Sequence, residues 1–341
     1  MFLRNAWYVA GWEHEFNREL KQIKVLAEKI AVYRCEDGKP VALKDACPHR
    51  KLPLSNGRLV GDTVECGYHG LTFDCAGTCV RVYGQARIPP AAKVRSYPVC
   101  DKWGLLWIWM GDAELANTDD IFPVEHFDEP GWGINKGDTM ILNCNYLYMT
   151  DNLLDPSHVA WVHRSSFGNA ACEDTPLKTD VDDSGVTVSR WMNDVEVAPF
   201  YKQCVPFTGN TDRKQHYEVR YPSNAIIRAI FAPAGHGGDD QYKEDECFIM
   251  DSYNFMTPVD ENQTRYFWFQ VRNVKPDSEE LSQIMSKGVK NAFEEDRQVL
   301  NLVHQGIKDD PDTLDLSLDV GALRFRKRLG EMINSEQQST A

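Results

Sequence analysis

Cys47-Pro48-His49, then sixteen residues, then Cys66-Gly67-Tyr68-His69: these two Cys-His pairs, each short enough for one tight loop, decide the fold. The residues between them suffice for a strand or two and a turn. Two thiolates and two imidazoles can hold a [2Fe–2S] cluster, with the cysteines on one iron and the histidines on the other. Histidine ligation raises its potential above that of an all-cysteine cluster. One tetrahedral zinc is the other centre these donors can build. Zinc fingers with this set bring two Cys and then two His, whereas here each Cys has its own His, which favours the cluster. Gly67 and Gly70 bracket the second pair and let the backbone approach the sulfurs closely. Cys75 and Cys79 could join Cys47 and Cys66 in an all-cysteine site, but His49 and His69 would then have no role. Small buried residues or reduced thiols is the better reading of Cys75 and Cys79.

Around the motif, residues 1–110 read as short strands and turns. Ile30–Arg34 and Pro40–Leu43 flank Glu36-Asp37-Gly38-Lys39, a hairpin signal. Val80–Tyr83 and Leu105–Trp109 are further strands, and no long helix is expected there. The 341 residues suffice for two domains, and 42% apolar content supports a sizeable core. Residues 1–115 carry a net charge of +3 and residues 116–341 a net charge of −17. The change coincides with the polar stretch Gly111–Asp120, where a domain boundary is placed, giving 1–115 and 116–341. The more basic first part, with Arg50 and Lys51 beside the cluster loop, would suit an acidic electron donor. The total of −14 argues against nucleic acid. No run of 18 apolar residues spans a membrane. The start Met1–Tyr8 lacks the segments of an export signal, and ten cysteines without export point to a reducing cytoplasm.

The second part alternates. Asn143 to Trp161 reads helical, and Val186–Arg190, Ala225–Phe231, Cys247–Met250 and Thr264–Val271 read as strands. A long helix begins at Pro276–Glu280, with an acidic first turn, and continues past Phe293 to Val303. A last helix is expected from Leu314 to Met332, followed by a polar, disordered tail from Asn334. The whole describes an α+β domain with an antiparallel sheet flanked by helices.

A second metal constellation lies in Asp151-Asn152-Leu153-Leu154-Asp155-Pro156-Ser157-His158-Val159-Ala160-Trp161-Val162-His163. In a regular helix an i,i+5 pair diverges by roughly 140°, so His158 and His163 can share an ion only if the helix breaks, which Pro156 permits. In the long helix Val289, Ala292, Phe293, Val299, Leu300 and Val303 form an apolar stripe, and Asp296 sits inside it. A carboxylate there must bind a metal or be paired, for instance with Arg272. Two histidines and one carboxylate leave open positions on non-haem iron(II). His158, His163 and Asp296 are therefore the candidate ligands.

From start to end the chain resembles the Rieske non-haem iron oxygenases, in particular the oxygenase components of the vanillate O-demethylase and dicamba monooxygenase group. The resemblance rests on Arg4–Ala10, the two Cys-His pairs, Trp107-Ile108-Trp109, the Asp151–His163 segment and the Glu295-Asp296 helix. It implies an N-terminal all-β Rieske [2Fe–2S] domain, a catalytic domain with mononuclear Fe(II), and O2 as co-substrate. It also implies electrons from NAD(P)H through a flavin or iron–sulfur reductase, in some systems through a ferredoxin, and a head-to-tail homotrimer. Asp155 matches the family's bridging aspartate, linking His69 of one subunit to His158 of the next, and Asn152 matches an asparagine near the iron. Neither cluster loop carries the extra cysteine that joins the loops in respiratory Rieske proteins. The group mostly demethylates aryl methyl ethers, releasing formaldehyde and a phenol, and many substrates are methoxybenzoates. Arg228, in a strand, is a candidate cation for such a carboxylate, and Tyr253 and Asn254 lie in the region of the family's substrate contacts. Ring hydroxylation, methyl oxidation and N-demethylation remain alternatives. Outside the class, so do an electron carrier with an inert second domain and a zinc-stabilised binding protein.

Overall fold

The computed structural model describes residues 1–235 and 241–339. The chain divides into two compact units. One comprises Met1–Phe122, Thr257–Glu261 and Glu336–Ala341; the other comprises Pro123–Met256 and Asn262–Ser335. The boundary anticipated after residue 115 falls at Phe122 instead. Backbone carbonyls of Asn117, Thr118 and Phe122 accept hydrogen bonds from Trp7, Lys102 and Trp103, tying this stretch to the first unit. Thr257–Glu261 belongs there because Pro258 and Val259 accept from the N–H groups of Leu26 and Ala27.

The first unit holds β1 (Trp7–Trp12), β2 (Lys21–Val25), β3 (Glu28–Arg34), β4 (Pro40–Lys44), β5 (Arg58–Val60), β6 (Thr63–Glu65), β7 (Thr72–Phe73), β8 (Cys79–Arg81), β9 (Ser96–Tyr97), β10 (Val99–Lys102) and β11 (Leu105–Trp109). They form three antiparallel sheets, ordered β1-β11-β10, β2-β3-β4-β9 and β5-β6-β7-β8. The expected hairpin is β3–β4, with Arg34 opposite Pro40 and Gly38 in the left-handed conformation that the tight turn requires. Its fully buried Ala31, Tyr33 and Leu43 pack with Leu54, Val64 and Phe73 into one core, and Cys47 and Cys66 lie in that core.

The second unit is built on one antiparallel sheet: β12 (Gly133–Asn135), β13 (Thr139–Leu142), β14 (Lys178–Val181), β15 (Gly185–Val195), β16 (Thr211–Arg220), β17 (Asn224–Pro233), β18 (Phe248–Asp260) and β19 (Gln263–Arg272). The order is β12-β19-β18-β17-β16-β15-β14, with β13 also paired to β19. Helices α1 (Tyr146–Asn152), α2 (Ala171–Asp174), α3 (Glu279–Asp309) and α4 (Val320–Ser339) accompany it. Ser278 caps α3 by accepting from the Leu281 N–H, and Glu279 and Glu280 complement the dipole at that end. At Gly288 a Cβ would lie 2.4 Å from the Phe200 ring, so α3 packs there more closely than any side chain would allow.

Two helical expectations change. Asn143–Trp161 is not one helix: α1 ends at Asn152, and a separate 3-10 turn covers His158–Ala160. Pro156 between them lacks an N–H and disfavours helix in the residue before it. At the C-terminus α4 starts six residues later than expected and runs on to Ser339, where a disordered tail was anticipated. Its buried Phe325, Leu329 and Ile333, four residues apart, anchor one face. Residues 340–341 of that tail lie outside the described residues. Among the described residues no helix is long and apolar enough to cross a membrane.

Candidate metal centres and active-site cavity

The two cluster loops join β4 to β5 and β6 to β7, and they share one main-chain design. The Cys47 N–H donates to Leu52 O and the Lys51 N–H to Cys47 O, each at 2.9 Å. In the second loop the Cys66 N–H donates to Leu71 O at 2.8 Å and the Gly70 N–H to Cys66 O at 3.0 Å. In both loops the fourth residue after the cysteine turns left-handed, with φ of 60° at Lys51 and 70° at Gly70. Each loop thereby buries its cysteine and carries its histidine outward. The His49 and His69 rings lie 4.6 Å apart, centroid to centroid. Burial pushes the Cys47 thiol up, while N–H groups of His49 and Arg50 directed at its sulfur pull it down; the net shift is upward. Such donors stabilise a thiolate ligand.

These four residues fit a two-iron cluster better than a single zinc. Among the described residues, His158, His163 and Asp296 are the one group with three His, Cys or acidic ligand atoms all within 4.8 Å of one another. Cys47 and Cys66 neighbour each other in the core and the His49 and His69 rings pair with each other outside it, the division of donors that two separate irons take. Cys75 does not join them: its sulfur lies 3.4 Å from that of Cys35. The Cys79 sulfur is directed to Arg81 O at 3.3 Å.

The second centre assembles as the residue types anticipate. Asp296 sits in the buried stripe of α3 and is 2% exposed. Its Oδ1 lies 3.2 Å from His163 Nε2 and 3.6 Å from His158 Nε2. The break after α1 is what brings the i,i+5 histidines together, with rings 5.2 Å apart at 76°. Each imidazole is oriented through its other nitrogen: Nδ1 of His158 bonds the Asp155 backbone carbonyl, and Nδ1 of His163 lies 2.7 Å from Glu295 Oε2. Both Nε2 atoms are thereby left for a metal. Asn152 Nδ2 donates to Asp296 Oδ1 at 3.0 Å, while Asn152 Oδ1 is buried without a partner. Burial pushes the Asp296 carboxyl up, but the His163 hydrogen bond, the two histidine charges and Asn152 outweigh it and hold it below the usual range. Burial depresses His163, yet Asp296 and Glu295 raise it overall.

Arg272, the other partner considered for Asp296, is occupied elsewhere. Its guanidinium bonds the Asn135 side chain and the carbonyls of Val274, Lys275 and Ser278 at the approach to α3. Asp155 uses Oδ1 on the N–H and hydroxyl of Ser157, and its Oδ2 accepts nothing among the described residues. Glu295 was passed over in sequence because it falls off the buried stripe; its side chain is long enough to reach His163 from the flank.

A cavity opens beside the triad. Its apolar wall includes Phe167, Ile227, Met250 and Phe293, and its polar wall includes Asn152, Arg213, Ser252 and the three metal-site residues. The proposed substrate residues are not in it. Strand parity explains this, since successive side chains point to opposite faces. Ile227 faces the cavity, so its neighbour Arg228 faces away and pairs with Asp251 at 2.8 Å and with Glu125. The Tyr253 hydroxyl accepts from the Glu125 N–H at 2.9 Å. Asn254 is buried, with its amide donating to Ser252 O and accepting from the Tyr266 hydroxyl.

A cluster-bearing β unit and a two-histidine, one-carboxylate centre under an antiparallel sheet define the oxygenase component of a Rieske non-haem iron monooxygenase. Residues 6–98 match the Rieske [2Fe-2S] domain family, and residues 142–335 match the vanillate O-demethylase oxygenase C-terminal domain family. The iron-sulfur subunit of the toluene-4-sulfonate monooxygenase system of Comamonas testosteroni is 36% identical, with both chains covered in full. The vanillate O-demethylase oxygenase subunit of a Pseudomonas species is 33% identical over 99% of this chain and 97% of that one. A crystal structure of dicamba monooxygenase bound to 3,6-dichlorosalicylic acid superposes with a TM-score of 0.89 at 28% identity, covering 100% and 99% of the two chains. The chain belongs to the vanillate O-demethylase oxygenase family of Rieske monooxygenases. Its cofactors are a Rieske [2Fe–2S] cluster and a mononuclear iron, with O2 as co-substrate and electrons drawn from NAD(P)H through a reductase.

Proposed function

We propose that this protein oxidises a methyl carbon on an aromatic acid, most simply by O-demethylating a methoxylated aromatic acid to a phenol and formaldehyde. The carrying observation is the cavity with the His158, His163 and Asp296 donors in its wall and aromatic and aliphatic side chains around them. Cys47, His49, Cys66 and His69 would hold the cluster, and His158, His163 and Asp296 the mononuclear iron. When bound, the cluster supplies electrons and the iron supplies O2 activation.

The rest is done by the chain. Glu295 and the Asp155 carbonyl fix the two imidazole rings, and Asn152 fixes the carboxylate. Phe167, Ile227, Met250 and Phe293 exclude water and match a flat ring. A methyl ether hydroxylated on its methyl carbon is a hemiacetal, which collapses without further help from the protein. Electrons would arrive from an NAD(P)H-dependent flavin or iron–sulfur reductase, docked at the less acidic first unit. The free Asp155 Oδ2 would complete the path, joining His69 of a neighbouring subunit to His158 in a homotrimer.

A second reading is oxidation of a ring methyl group to an alcohol, favoured by the full-length likeness to the toluene-4-sulfonate monooxygenase subunit. A formaldehyde assay over aryl methyl ethers and toluic or toluenesulfonic acids, with a surrogate reductase, separates the two. Formaldehyde equimolar with the phenol supports demethylation. A benzylic alcohol without formaldehyde supports methyl oxidation. Absence of substrate-dependent O2 uptake across the whole panel contradicts both.

A further inference from the structure

The cavity that carries the metal donors also has one arginine in its wall, Arg213. On β16 the residues Arg213, Gln215 and Tyr217 share a face. Across the strands Arg213 pairs with Phe231, and Tyr217 with Ile227, which pairs in turn with Ser252. The side chain is 1% exposed. A guanidinium is a fixed cation with five donors, and burying it without acceptors is costly.

Three arginines are buried in this way, and two have every nitrogen bonded. Arg190 donates to Gln215 and to the carbonyls of Cys172 and Pro156. Arg272 uses all three nitrogens on Asn135 and backbone carbonyls. Arg213 instead has one main-chain acceptor, Phe167 O at 3.0 Å, an interaction with the Tyr201 hydroxyl and a sulfur contact to Cys172 at 3.9 Å. The faces of Tyr201 and Phe231 lie 5.3 and 5.1 Å from its central carbon. Its Nε is buried without a partner. On the same face of the sheet, two strands away and level with Tyr217 rather than Arg213, the Ser252 hydroxyl accepts from Gln270 at 3.2 Å.

We infer that Arg213 recognises the anionic group of the substrate, an aryl carboxylate or sulfonate, and so sets the enzyme's selectivity for aromatic acids. This rests on the aromatic monooxygenase reading above. The anion supplies the acceptors that the fold withholds from Arg213, while the ring lies along the apolar wall. A carboxylate and a sulfonate offer the same chemistry to a guanidinium fork, so both belong in the test.

The test is calorimetric titration of the intact holoenzyme, under nitrogen, with toluene-4-sulfonate and 4-methoxybenzoate. Their uncharged counterparts, 4-methylbenzenesulfonamide and 4-methoxybenzamide, are the controls. The wild type is expected to bind at least one anion about tenfold or more tightly than its counterpart, and Arg213→Met to lose that preference by about ten- to hundredfold. Arg213→Lys keeps part of it, as a point charge without the fork. Cluster absorbance and Tm verify that each variant is folded; should Arg213→Met fail there, Arg213→Lys carries the comparison and must weaken the anion selectively. A folded variant that retains the full preference, or a wild type that shows none, overturns the inference. Substrate-dependent O2 uptake with neutral aromatics would then leave the monooxygenase reading standing, whereas no uptake with any aromatic would remove both.

Discussion

Replacing Arg228 by Met separates a structural arginine from a substrate-binding one. Arg228 is 21% exposed and Asp251 is 0% exposed, and two nitrogens of the guanidinium bond the carboxylate at 2.9 and 2.8 Å. The contact to Glu125, 60% exposed, contributes little. Removing one partner of a buried pair costs about 3–5 kcal/mol, because the other charge stays buried. The partial exposure of Arg228 places the expected loss near the lower end, about 3 kcal/mol. For a unit of this size that is roughly 6–12 °C in Tm.

The deficit has a definite pH dependence. Burial raises the Asp251 carboxyl above its usual range and Arg228 pulls it partly back. A raised folded-state carboxyl stabilises most fully below the unfolded value and loses that contribution as pH rises. Without Arg228 the carboxyl moves higher still, so the variant loses most at neutral pH and approaches the wild type as Asp251 protonates at acid pH. Thermal melts from pH 5 to 8, with steady-state kinetics on an aryl acid at a permissive temperature, measure both effects. Arg228→Met/Asp251→Leu should recover most of the stability. An unchanged Tm with a tenfold higher KM would refute the parity argument and return Arg228 to the cavity.

Glu295→Ala removes the acceptor on His163 Nδ1 and should weaken iron binding about 10- to 100-fold, read by competition with a chelator, while cluster colour is unchanged. Gly70→Ala puts a side chain at φ 70°, 3.0 Å from Tyr83, and should cost about 1–2 kcal/mol and loosen the second cluster loop, read as faster bleaching in urea. Asp155→Ala should leave all iron in place, since His158 is held by the Asp155 backbone carbonyl, yet abolish product formation. A variant retaining most of its activity would remove the proposed bridge.

The metal donors were legible because their chemistry leaves few alternatives. A Cys-x-His beside a Cys-x-x-His has few structural uses, and Asp296 inside an apolar stripe had to meet either a cation or a metal. The β strands with apolar runs, Ala225–Phe231 and Thr264–Val271, were equally plain. What stayed hidden depends on which way side chains point. Thr211–Arg220 has no apolar run, because its cavity face is built from Arg213, Gln215 and Tyr217, so β16 and its arginine went unread. In sequence Arg228 is only a candidate cation for the substrate, because a strand's two faces cannot be told apart until its neighbours are known. The end of α4 looked disordered because one buried residue per turn suffices to hold a helix whose other faces are polar.

Iron counting on His158→Ala tests the central claim, that cluster and catalytic metal are separate centres on this one chain. The wild type should contain about three irons per chain and be red-brown. The variant should fall to about two with its visible spectrum intact and O2 uptake lost. A variant that keeps three irons, or a colourless wild type holding zinc, would contradict the account.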